Sequence, residues 1–75
     1  MTVIDIIIHI TQQKRDMRML PDAASQKEIL ELARIVNLKA EKVKIDLEAL
    51  ALNGVISMYY NVNRVPYYSL TKTKP

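Results

Sequence analysis

Three groups of cations are the residues in this chain best suited to chemistry. Lys14, Arg15 and Arg18 form one, Lys39, Lys42 and Lys44 a second, and Arg64, Lys72 and Lys74 lie toward the C-terminal end. Eleven basic against eight acidic residues leave a net charge of +3 and a pI of about 9.3, a balance that leans toward an anionic partner. A solvated surface accounts equally well for any single cluster. Catalysis has little to build on. The one histidine, His9, sits among isoleucines with no cysteine and no second histidine to share a metal, and the chain's one glycine rules out a glycine-rich phosphate loop. No enzyme activity, metal or cofactor is expected. All four tyrosines fall within "YYNVNRVPYYSLT", Tyr59 to Thr71. Exposed rings of this kind stack on single-stranded bases, or they stiffen a hairpin by packing across it.

The elements that must position these groups fit in one domain. A chain of 75 residues buries only roughly 60% of the surface it exposes when unfolded, so its core is thin. With 49% hydrophobic and 25% charged residues it should fold. The absence of cysteine fits a reducing compartment, and a cytoplasmic location is expected. "VIDIIIHI", Val3 to Ile10, contains Asp5 and His9 and falls far short of the roughly 20 residues that span a bilayer. It also lacks the basic start and cleavage site of a signal peptide. No membrane partner is expected.

The first segment reads two ways. Ile4, Ile6, Ile8 and Ile10 alternate as in a strand, whereas Thr2 with Asp5 makes a helix-starting pattern and Val3, Ile7 and Ile10 share a helical face. As a helix it is apolar nearly all round and needs a second surface to cover it, which points to a dimer or another partner. Thr11 to Ala24 is polar, with a turn at Pro21 and Asp22. Ser25 and Glu28 form a capping box for a second helix that turns Ile29, Leu32, Ala33 and Val36 inward and Lys27, Glu31 and Arg34 to water. Asn37 stops it, and two or three residues later a third helix begins, with Val43, Leu47 and Leu50 as its buried stripe and Gly54 as terminator. Two strand-like runs follow around "NVNR". A bend at Val62 and Asn63 sets Tyr60 opposite Val65, Tyr59 opposite Pro66 and Met58 opposite Tyr67. It puts Tyr68, Leu70 and Val55 toward the core and Tyr60 and Tyr67 on the other face. Pro66 lacks an N–H and must sit where no partner strand needs one.

With that order complete, the chain resembles the winged helix-turn-helix family of DNA-binding proteins. The resemblance rests on Glu31, Leu32, Ala33, Leu38, Val43, Leu47, Leu50, Gly54, Val55 and Ile56 in register, and on Arg64, Tyr68, Leu70 and Thr71 at the wing. It covers about half the chain, and most of these positions are packing positions. It implies an α+β, mostly helical fold, three helices followed by a β-hairpin wing, in one domain over residues 1–71 with a flexible tail at 72–75. It also implies that the first segment is a helix and that the small strand before the second helix is short or absent because of Pro21.

By the same resemblance, the function is sequence-specific binding of double-stranded DNA by a small transcriptional regulator. The third helix lies in the major groove and the wing on the flanking backbone or minor groove. The implied contacts on the third helix are Lys39, Glu41, Lys42, Lys44 and Ile45, with Glu48 on the same face. Ser25 and Lys27 are implied at the start of the second helix, whose free N–H groups favour a phosphate, and Asn61, Asn63 and Arg64 at the wing tip. Ile45 touches a thymine methyl, or else is an exposed hydrophobe or a protein-partner contact. Glu41, Asp46 and Glu48 offset the lysines and weaken the counterion release that drives DNA binding, which keeps a protein-interaction module open as the alternative. A homodimer through the first helix suits either reading. With no separate sensing domain, no small-molecule effector is expected.

Overall fold

The structure, a computed structural model, describes residues 1–71. The expected tail at 72–75 lies outside the described residues. The described chain is a small α+β domain of three helices and a three-stranded antiparallel sheet.

Helix α1 spans Val3–Asp16, so helix prevails over strand in the ambiguous first segment. The reason lies at its start. The Asp5 N–H donates to Thr2 Oγ1 at 3.2 Å, and the Thr2 N–H donates to Asp5 Oδ2 at 3.0 Å, closing a capping box. The bond from the Thr2 N–H, with a further contribution from the Thr2 hydroxyl, holds the Asp5 carboxyl below its ordinary value. Val3, Ile6, Ile7 and Ile10 then form one buried stripe at helical spacing. Ile4 is half-buried and Ile8 exposed, which leaves part of the apolar circumference uncovered.

The first cationic cluster is broken up, one member being buried and the other two exposed. Lys14 continues the buried stripe and is 8% exposed. Its Nζ donates to the Ala23 carbonyl oxygen at 2.7 Å, pairs with Glu28 Oε1 and lies 5.4 Å from the Tyr67 ring centre. Arg15 pairs with Asp22 at 3.5 Å, and Arg18 is exposed and in no ion pair among the described residues.

Strand β1 is only Ala24–Ser25, in keeping with the short strand expected near Pro21. Helix α2, Gln26–Ile35, buries Ile29 and Ala33, half-buries Leu32, and exposes Lys27, Glu31 and Arg34. Helix α3, Ala40–Leu52, buries Val43 and Leu47. Residues 36–39, four rather than two or three, join α2 to α3. All three helices end alike. Arg18, Asn37 and Gly54 adopt positive φ of 55°, 65° and 73°. The next residue in each case donates back into the last turn: Met19 to the Lys14 carbonyl, Leu38 to Ala33 and Val55 to Leu50, at 2.8 to 2.9 Å.

Strands β2 (Ile56–Tyr60) and β3 (Pro66–Leu70) form a hairpin, and β3 is the central strand, with β1 on its other side. The register differs by one residue from the expectation. Tyr60 pairs with Pro66, Tyr59 with Tyr67 and Met58 with Tyr68. The bend does fall at Val62 and Asn63, but Arg64 follows it at φ 59°, and this extra left-handed residue shifts the pairing. A one-residue slip changes which side chains share a face. Tyr59 stacks on Tyr67 with ring centres 5.7 Å apart, while Tyr60 lies on the face of the buried Tyr68. The core position expected for Val55 belongs to Ile56, since Val55 and Leu70 are each more than a third exposed. Pro66 begins β3 beyond the reach of β1, which pairs only with Tyr67 and Tyr68, so its missing N–H breaks no ladder there. Burial raises the Tyr68 hydroxyl pKa, and the neighbouring Tyr60 adds to the effect.

Candidate nucleic-acid interface

The hairpin tip is built by one side chain. Asn61 Oδ1 accepts from the Asn63 N–H and the Val65 N–H, both at 2.9 Å, while its carbonyl accepts from the Arg64 N–H at 2.9 Å. Asn61 Oδ1 is therefore occupied inside the turn, and the exposed side chains of the tip are those of Asn63, Arg64 and the 98% exposed Val62. Arg64 holds a backbone conformation that costs a non-glycine residue roughly 1 kcal/mol or more. A strained, exposed arginine on a hydrogen-bonded turn is well suited to a phosphate.

Ser25 has a different role from its neighbour Lys27. The Ser25 residue is 7% exposed, its hydroxyl donates to Glu28 Oε1 at 2.9 Å and accepts from the Glu28 N–H at 3.2 Å. The Glu28 carboxylate also accepts the Ser25 N–H at 3.0 Å, so the serine is committed to the cap and its hydroxyl is not offered to solvent. Burial pushes the Glu28 carboxyl up, but the hydrogen bonds from Lys14 and from Ser25 more than offset this and hold it below the ordinary glutamate value. Lys27, two residues on from Ser25, is exposed.

Helix α3 does not present a cationic face. At 100° per residue the direction opposite Val43, Leu47 and Leu50 is occupied by Glu41, Ile45, Glu48 and Leu52. Ile45 is 66% and Leu52 82% exposed. Lys42 and Lys44 flank this ridge on opposite sides, both exposed, and Lys39 is the exposed N-cap residue, without a side-chain cap bond. Lys44 and Glu48 border a hollow with Met58 and Tyr68 of the sheet. Neither ion pair among the described residues involves an α3 side chain.

Of the expected contacts, the fold brings Lys27 and Arg64 together. They line one groove of about 630 Å³ between α2, the start of α3 and the hairpin. Arg34, exposed on α2 as expected, lines it as well. Its spacing of seven residues from Lys27 along one helical face was the available signal. The sequence reading likewise missed the burial of Lys14, although Val3, Ile7 and Lys14 lie on one helical stripe. Among the described residues no group of three or more potential ligands could hold a metal ion, and no helix is long and apolar enough to cross a membrane. Comparison with protein-family models, with curated proteins and with solved structures finds no match.

Proposed function

We propose that this domain is a winged helix-turn-helix that binds double-stranded DNA as a small transcriptional regulator. In this reading α3 approaches the major groove with Lys42 and Lys44 on phosphates, Lys39 and Lys27 contact the same backbone, and the β2–β3 hairpin reaches the flanking backbone or minor groove through Asn63 and Arg64. The observation that favours it most is the exposed tip arginine, held in a left-handed turn and sharing one groove with the Lys27 cation of α2. A second reading, a winged-helix module that binds protein, draws on the outward ridge of α3, where exposed Ile45 and Leu52 alternate with Glu41 and Glu48. Carboxylates on that ridge repel phosphates, while the apolar pair suits a protein surface.

Fluorescence anisotropy with a random duplex, from low to physiological salt, separates the two. DNA binding should weaken steeply with salt, and Arg64→Ala or Lys42→Ala should each lower the slope of log K against log salt by about 1. No binding at low salt would overturn the DNA reading and leave the protein-interaction module.

A further inference from the structure

The groove between α2 and the hairpin has a composition that phosphate contacts alone do not require. Its floor is apolar, made by Leu30, Leu38, Val65 and Pro66. Three cations, Lys27, Arg34 and Arg64, border it, against one acid, Glu31. None of the three cations belongs to an ion pair among the described residues. A volume of about 630 Å³ is in the range of small-molecule pockets, roughly 300–1,000 Å³, which are likewise mostly apolar with a few convergent polar groups. A duplex backbone would use the cations and leave the apolar floor unfilled.

We propose that this groove is a binding site for a small amphipathic anion, an aromatic or aliphatic body carrying one carboxylate, sulfonate or phosphate. The body lies on Leu30, Leu38, Val65 and Pro66, and the anionic head is held by Arg34 and Arg64, whose planar forks suit an oxyanion. Such a molecule bridges α2 to the hairpin and needs no separate sensing domain, which was the ground for expecting no effector. If the DNA reading holds, an occupied groove also competes with phosphates for Lys27 and Arg64. The site itself does not depend on that reading.

The test uses the intact chain without DNA. Anilinonaphthalene sulfonate is titrated in, with fluorescence for affinity and backbone amide shifts for location, beside its uncharged counterpart N-phenylnaphthylamine. The site predicts shifts at Lys27, Leu30, Arg34, Leu38, Arg64 and Val65, tighter binding of the sulfonate than of the uncharged probe, and about tenfold weakening by Arg34→Gln. Arg34 is exposed, and an unchanged amide spectrum of the free variant shows that it still folds. Equal affinity for the two probes, shifts confined to the exposed Met17, Leu20 and Ile35, or no binding at millimolar probe would overturn the proposal. A duplex titration that fails while this one succeeds removes the DNA reading and keeps the site.

Discussion

Lys14 is the residue on which most elements converge. One ammonium group joins α1 to the Ala23 carbonyl before β1, to Glu28 of α2 and to the Tyr67 ring of β3. Taking a partner from a fully buried pair costs about 3–5 kcal/mol, but the Glu28 side chain stays 39% exposed and water softens the loss. Lys14→Ala should therefore cost about 2 kcal/mol in urea unfolding. The acid dependence follows from Glu28. Its carboxyl is held below the ordinary 4.5 in the folded state, so its contribution is fully present above that pH and is lost as pH falls through the folded value. The stability gap between wild type and Glu28→Gln should accordingly begin to narrow below about pH 4.5 and close only below the folded value, and a gap that stays constant into stronger acid would contradict this.

At the scale of elements, the hairpin tip shows what a single backbone angle can do. Glycine adopts the left-handed conformation of Arg64 without the Cβ penalty, so Arg64→Gly should leave the domain as stable as wild type or more stable by up to about 1 kcal/mol in the same urea assay. In the DNA assay the same variant should bind more weakly. A loss of stability would mean that the arginine side chain supports the fold rather than a partner. The contrast also shows how much could be read in advance. Helix starts were legible, because Thr2 with Asp5 and Ser25 with Glu28 are local pairs whose hydrogen bonds depend only on spacing. Helix ends at Asn37 and Gly54 were legible for the same reason, whereas Arg18 was not, since arginine is a poor marker of a left-handed turn. The strand register was not legible either, because it turns on one extra residue in the turn that no side-chain pattern announces. For the site, Lys27 and Arg64 were identified individually, but their common groove with Arg34 is set by how α2 packs beside the hairpin, a tertiary fact.

At the scale of the whole molecule, the exposed surfaces decide what the domain can meet. Helix α1 keeps Ile4 half-buried and Ile8 44% exposed on the side away from the core stripe, and a homodimer of the kind expected from the sequence would use this side. Sedimentation should show a dimer that Ile8→Glu converts to a monomer, and a monomeric wild type would remove the dimer from the account. The central claim is that the start of α2, the flanks of α3 and the hairpin tip together bind duplex DNA. The measurement that tests it most directly is the map of amide chemical-shift changes when a duplex is added at low salt. The account predicts changes at Lys27, Lys39, Lys42, Lys44, Asn63 and Arg64, with α1 unaffected. A duplex that shifts nothing at low salt, or shifts only residues of α1, would contradict it.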